Sequence, residues 1–224
     1  MTRYSRHAAT NARRRSHGKP RQAAQGTEEA QAAAEAQAAG RGRPLSALSK
    51  PLAARAATRL DTARLTLTEL TPEDAPFVLA LLNDPAWLRN VGDRGIRTVD
   101  GARDYIVAGP ITMYAREGFG LWKTALRASG EPIGLCGLIK RPTLDDVDLG
   151  FALLPAYRGQ GYAREAAQAC VDHARQVAGL RRLVAIVSPA NEDSIRLLDA
   201  LGLRYERMVE LTPGDPVRLH AMAL

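Results

Sequence analysis

Residues 148–167 constrain the fold of this chain more than any other stretch. They read Asp-Leu-Gly-Phe-Ala-Leu-Leu-Pro-Ala-Tyr-Arg-Gly-Gln-Gly-Tyr-Ala-Arg-Glu-Ala-Ala. The first part is a strand and Pro155 a turn. From Ala163 onward a helix is written in the spacing of Ala163, Ala166, Ala167, Cys170, Val171, Ala174 and Val177, which share one face. Gly179 closes it. Between strand and helix lie Arg158, Gly159, Gln160, Gly161, Tyr162 and Ala163. Glycines reach backbone angles closed to other residues, so successive N–H groups can converge on an anion at the positive end of a helix. Ala163 is small enough for a ligand to approach the first turn. The geometry suits a pyrophosphate. The plainer reading of the same letters is a tight glycine turn opening an ordinary helix.

The surrounding elements follow from periodicity and punctuation. Residues 64–70 alternate and form a strand. Thr71, Pro72, Glu73 and Asp74 start a helix that runs to about Leu82, where Asn83-Asp84-Pro85 stops it. Residues 86–94 read as short and irregular, and residues 98–107 as a second helix. Strands are expected at 118–127, 132–140, 146–154, 182–187, 203–211 and 217–224, with a last helix at 191–201 closed by Gly202. The order is β-α-α-β-β-β-α-β-α-β-β. A helix between two strands in mid-chain requires a parallel crossover, and the remaining connections read as antiparallel hairpins. The expected fold is therefore α/β (α+β): a mixed, mostly antiparallel sheet of about seven strands, with a β-α-β crossover and helices on both faces.

The glycine loop excludes several nucleotide classes. It lacks the G-x-x-x-x-G-K-[ST] pattern of Mg·ATP sites. It also fails G-x-G-x-x-G, because Arg164 stands at the third glycine position. Arg158-Gly-Gln-Gly161-Tyr-Ala163 instead resembles the [Q/R]-x-x-G-x-[G/A] signature of the GNAT N-acetyltransferase superfamily. A second block, Asn191 through Ser194 and Leu198 to Gly202-Leu203, resembles that superfamily's N-x-x-[A/S]-x-x-[L/F]-[Y/L]-x-x-x-G-[F/L] segment. The opening Arg64-Leu-Thr-Leu-Thr-Glu-Leu-Thr-Pro-Glu-Asp74 and the later Leu82-Asn-Asp-Pro85 are similar to the ribosomal-protein (Rim-type) branch. The resemblance covers residues 59–224 and is weakest from Trp87 to Thr112, where such enzymes form the acceptor wall.

The resemblance implies an acetyl-CoA-dependent N-acetyltransferase. Arg158, Gly159, Gln160, Gly161, Tyr162 and Ala163 then surround the pyrophosphate. The backbone of Phe151, Ala152 and Leu153 polarises the thioester, in a strand that splays from residues 182–187. Asn191 bonds the pantetheine arm, although Asn is also a good helix N-cap. Many relatives place a Tyr seven residues after this Asn to protonate the thiolate; here the position is Leu198. Ser194 is similar to the serine used in the Rim-type branch, and it reads equally as a capping hydroxyl. Asp148, flanked by apolar residues, is a candidate base whose pKa burial would raise; a salt-bridged carboxylate is the bland alternative. His173, expected on the polar side of its helix, and His220 are further bases to weigh. Cys136 reads as a small core residue. Arg89, Asp93, Arg94 and Arg97 form a polar cluster that either contacts an acidic acceptor or is solvated. No metal-ligand spacing occurs.

Composition matters most at the N-terminus. Residues 1–56 hold eleven Lys or Arg against three acids, whereas residues 57–224 are nearly neutral. Residues 1–56 are expected to be a disordered basic extension and residues 57–224 the catalytic domain. Residues 28–39 of the extension are rich in Ala and Gln and read as a transient helix. Any nucleic-acid contact is confined to the extension, whose start also resembles a transit peptide in composition. No apolar run approaches the ~18 residues of a membrane span, so no membrane partner is expected. Two cysteines in apolar surroundings and the lack of a secretory pattern favour a reduced, cytoplasmic setting. The resemblance implies an amine acceptor, either a protein N-terminus or a small molecule, and a dimer is compatible with the sequence. The reading from a different class is a non-catalytic acyl-CoA sensor or interaction module with a basic arm.

Overall fold

A computed structural model describes residues 57–224; the expectations for residues 1–56 lie outside the described residues. The chain runs β1 (Arg59–Asp61), β2 (Leu65–Glu69), α1 (Ala75–Leu82), α2 (Pro85–Asn90), α3 (Val99–Ile106) and α4 (Thr112–Glu117). It continues as β3 (Leu121–Leu126), β4 (Pro132–Ile139), β5 (Val147–Leu153), α5 (Tyr162–Gln176), β6 (Arg182–Val187), α6 (Glu192–Leu201), β7 (Arg204–Thr212) and β8 (Asp215–Ala223). The described residues form an eight-stranded sheet in the order β1-β2-β3-β4-β5-β6-β8-β7. Every pairing is antiparallel except β5 with β6, which α5 connects. The mixed, mostly antiparallel sheet with one crossover is as expected, with one strand more. The added β1 is three residues long, too short for its alternation to register in sequence.

The alternation of each strand divides the apolar residues between two layers. Val147, Leu149, Phe151 and Leu153 of β5 join a core with Ala166, Ala167, Cys170 and Ala174 of α5 and Leu198 of α6. Ala152, on the opposite face of β5, joins Leu135 of β4 and the helical layer of Val78, Leu81, Ala102 and Ile106. Helices therefore cover both faces, and Asp148, Gly150 and Ala152 face the layer of α1 and α3.

Three local expectations change. Residues 86–94 are not wholly irregular, because Asp84 accepts from the Ala86 and Trp87 amides at 3.0 and 3.3 Å and starts α2 as it ends α1. An N-cap followed by Pro at the first helical position is a start signal even when it sits where the previous helix stops. The helix expected to end near Val107 continues through a π turn, Val107–Ile111, into α4. Pro110 sits inside that wide turn, where the α-type ladder is already broken, and the Thr112 hydroxyl donates to the Val107 carbonyl at 2.9 Å. His173, expected to be solvated, is buried with its ring edge-on to Trp122, centroids 5.1 Å apart. Cys136 and Cys170 are free buried thiols whose sulfurs lie 3.5 Å apart between β4 and α5.

Candidate active site

β5 and β6 form a fork. Their parallel pairing covers Val147↔Leu183 and Asp148↔Val184, and the remainder of both strands is unpaired with the other. Asp148 stands at the apex. Its Oδ1 accepts from the Ile186 amide at 3.2 Å, so a side chain takes over where the backbone ladder stops. Its Oδ2 accepts from Arg141 Nε at 2.6 Å. Asp148 is 1% exposed. Burial pushes its carboxyl above the usual carboxylate range, and the Arg141 guanidinium and the Ile186 amide pull the other way.

One limb of the fork carries Phe151, Ala152 and Leu153, followed by the turn at Pro155–Tyr157 and the glycine loop. Gly159 and Gly161 have φ of 73° and 80°, the left-handed region that a Cβ disfavours. No turn or loop carbonyl in normal hydrogen-bond geometry takes the amides of residues 159–163 among the described residues, which leaves them available at the start of α5. This fits an anionic diphosphate.

The loop's side chains do a different job from its amides. Arg158 donates Nε to the Leu153 carbonyl at 2.9 Å and Nη2 to the Asp84 carboxylate. The Gln160 side-chain amide donates to the Ala156 carbonyl at 2.8 Å. Both therefore build the loop, although sequence reasoning grouped them with the ligand-facing set. Asp84 was read only as a helix stop. Burial disfavours its charge, but Arg158 and the Trp87 and Ala86 amides outweigh that and hold its pKa below the usual value.

A second strut was missed altogether. Glu165 Oε1 accepts from the Thr62 hydroxyl at 2.6 Å and the Arg64 amide at 2.8 Å, and Oε2 accepts from Arg64 Nε at 2.7 Å. Arg64 also donates to the Gln160 carbonyl at 3.1 Å and lies 4.3 Å from the centre of the Tyr162 ring. The connection from β1 to β2 thus grips the glycine loop. The signal was an acid in the first turn of α5, but its partners lie a hundred residues earlier in the chain.

The other limb leads through Ser188 to Asn191, whose Oδ1 accepts the Ser194 amide at 3.2 Å and caps α6. The capping role belongs to Asn191, and the half-buried Ser194 hydroxyl makes no hydrogen bond among the described residues. Leu198 is 1% exposed and packs into the core. His220 sits in β8, on the far side of β6 from β5, with Nδ1 3.9 Å from an Asp199 oxygen. Burial lowers its pKa. The structure therefore brings Asp148, residues 151–153 and the glycine loop onto one limb and places Asn191 and Ser194 after the other. It keeps His173 and His220 apart from the apex.

On the α1 and α3 side, Tyr105 and Ala152 both pack against the cluster that holds Leu135. Burial raises the Tyr105 phenol pKa, and the charges of Arg94 and Arg141 oppose the rise. Among the described residues no helix is long and apolar enough to cross a membrane.

Residues 64–204 match the Acetyltransferase (GNAT) domain family. The uncharacterized N-acetyltransferase p20 of Bacillus licheniformis is 30% identical over 153 residues, covering 67% of this chain and 84% of that one. A solved structure described as a GnaT-family acetyltransferase, from Bordetella pertussis, is 28% identical with a TM-score of 0.63, covering 74% of this chain and 99% of the other. The ribosomal L7/L12 alpha-N-protein acetyltransferase RimL, 18% identical with a TM-score of 0.64 over 78% of this chain and 98% of its own, shares the fold. A match that takes in the fork, the glycine loop and the Arg158–Asp84 strut means that the chain belongs to the GNAT family of acetyltransferases, with acetyl-CoA as its co-substrate.

Proposed function

We propose that the chain moves the acetyl group of acetyl-CoA to a primary amine, by direct attack in a ternary complex. The acceptor is a protein N-terminus or a small-molecule amine. The observation that carries the reading is the position of Asp148, a buried carboxylate at the apex of the fork on the face of β5 turned toward α1 and α3. An amine attacks only when neutral, so a base is needed beside it. An ionised carboxylate has about four lone-pair sites, and Arg141 and Ile186 engage only some of them, which leaves capacity for the incoming amine.

The remaining roles follow from the limbs. The outward amides of Gly159, Gln160, Gly161, Tyr162 and Ala163 hold the diphosphate, and Arg158 braces that loop. Backbone groups of Phe151, Ala152 and Leu153 polarise the thioester carbonyl. Asn191 holds the pantetheine amide while capping α6. The Ser194 hydroxyl donates to the sulfur as the carbon–sulfur bond breaks. Residues 57–224 carry this activity, and the resemblance to the Rim-type branch favours a peptide N-terminus among the acceptors.

Release of free thiol from acetyl-CoA, followed across a panel of primary amines with the full chain and with residues 57–224 alone, tests the reading. Turnover by both supports it. Acetyl-CoA binding without thiol release on any amine replaces transfer with acyl-CoA sensing.

A further inference from the structure

A glycine-rich loop can turn its peptide groups in more than one direction, and one of those directions is held from outside the loop. Gly161 has φ of 80°, and without a Cβ it tolerates a flip of the Gln160–Gly161 peptide that another residue would resist. A trans peptide is planar, so its C=O and N–H point in opposite directions. Whatever holds the Gln160 carbonyl therefore aims the Gly161 amide. Arg64 Nη1 donates to that carbonyl at 3.1 Å. The guanidinium lies close against the loop: a Cβ on Gly161 would meet Arg64 Nη2 at 3.4 Å, and Arg64 Cζ stands 4.3 Å from the centre of the Tyr162 ring. The next carbonyl, that of Gly161, accepts from the Glu165 amide at 3.1 Å and opens the ladder of α5.

Arg64 stands on a rigid base. Its amide and its Nε both donate to Glu165, at 2.8 and 2.7 Å, and its carbonyl accepts from the Arg127 amide at 2.9 Å. The turn that carries it is closed by the Thr62 amide on the Leu65 carbonyl and by the Leu65 amide on the Thr62 hydroxyl, both at 2.9 Å. The Glu165 side chain is 19% exposed. Burial disfavours its charge, but the Thr62 hydroxyl and the amide and guanidinium of Arg64 outweigh that and hold its pKa below the usual value. The carboxylate stays ionised at neutral pH and keeps the guanidinium where it is.

A partly exposed ion pair adds little to stability by itself. A pair that fixes a peptide group before the ligand arrives acts instead on binding, because it removes part of the ordering cost. We propose that Arg64 is a positioning residue for the acyl donor: it fixes the Gln160–Gly161 peptide so that the Gly161 amide meets the diphosphate, and Glu165 holds Arg64 in place. The proposal rests on the reading that the diphosphate of acetyl-CoA lies at the glycine loop. Its effect falls on the diphosphate end of the donor, away from the thioester, and so on affinity more than on chemistry.

The test compares acetyl-CoA with S-acetylpantetheine, a donor without the diphosphate. Thiol release is measured for the full chain and for its Arg64→Gln and Arg64→Lys variants, with calorimetric titration of CoA and melting curves alongside. In Arg64→Gln, kcat/KM for acetyl-CoA should fall about tenfold, mainly through KM, with a matching rise in the Kd for CoA. With S-acetylpantetheine kcat/KM should stay within about twofold of the parent, whereas a merely structural role would lower it in parallel. Arg64→Lys keeps one cationic donor and should recover part of the lost affinity. Parallel losses with both donors overturn the proposal, as does an unchanged Kd for CoA in Arg64→Gln. Gly161→Val separates this failure from that of the underlying reading. Affinity lost in Gly161→Val but kept in Arg64→Gln removes the positioning role alone, and affinity kept in both moves the diphosphate away from the loop and takes the proposal with it.

Discussion

Arg158 and Asp84 form an ion pair that joins the glycine loop to the start of α2, across 74 residues of chain. The carboxylate side chain is 4% exposed and the arginine side chain 41%. Asp84 does two jobs at once, since it also caps α2. The two can be separated. Asp84→Asn keeps a good capping acceptor but removes the charge, and is expected to cost about 1–2 kcal/mol of unfolding free energy, below the ~3–5 for a fully buried pair because Arg158 is partly solvated. Asp84→Ala removes the cap as well and should cost about 1 kcal/mol more. Urea unfolding of both variants measures the difference; equal losses would mean that the cap contributes nothing.

Gly161 opens α5 with φ of 80°, and a Cβ there would lie 3.4 Å from an Arg64 guanidinium nitrogen. Gly161→Val combines strain with crowding at the outward amides. Calorimetry should find acetyl-CoA binding abolished, while the melting curve stays cooperative with a loss of about 1–3 kcal/mol. Unchanged affinity would move the diphosphate away from this loop.

Ser194 and Asn191 sit in the same turn but are expected to fail differently. Ser194→Ala should lower kcat roughly ten- to a thousand-fold, within or just below the range for losing a general acid, with little change in KM for acetyl-CoA. Asn191→Ala should raise that KM, since it removes binding common to ground and transition states. It also loses the cap on the Ser194 amide, at about 1 kcal/mol. Steady-state kinetics corrected for folded fraction decides this, and a kcat for Ser194→Ala within about twofold of the parent removes Ser194 from the chemistry.

Asp148 and Arg141 set the pH dependence. A base must be ionised to accept a proton, so kcat/KM should rise with pH through the apparent pKa of Asp148, which burial places above the ordinary carboxylate range. Arg141 favours the ionised form. In Arg141→Gln burial acts with less opposition, the pKa rises further, and the acidic limb of the profile moves to higher pH. Asp148→Asn should lower kcat by about a hundredfold or more and flatten that limb. A limb at the same pH in the parent and in Arg141→Gln would assign the titration to another group. Stability follows the same sign. The folded state holds the Asp148 proton more tightly than the unfolded chain, so the cost of ionising it grows as pH rises past the ordinary carboxylate value. Arg141→Gln therefore loses stability at neutral pH and recovers it on acidification.

Most of the architecture was legible because it is local. Residues 148–167 carry strand alternation, a proline turn, two glycines and helical spacing in one run, and each acts within a few residues of itself. The crossover follows from a helix between strands. The same locality explains what was misread. Asp84-Pro85 is both a stop and a start, the helix expected at 98–107 runs on through a wide turn that holds Pro110, and His173 has a neighbour, Trp122, that comes from a distant strand. Tertiary structure alone decided the charge assignments. Arg158 carries a letter of a ligand-binding signature and Gln160 lies inside it, yet both side chains brace the loop. Glu165 found Thr62 and Arg64, Arg158 found Asp84, and Asp148 found Arg141 and the Ile186 amide. A charged side chain names no partner in sequence, because the same carboxylate is solvated, bridged or poised as a base according to what the fold places within ~4 Å of it. Periodicity determines the elements; the register between strands determines which charges meet.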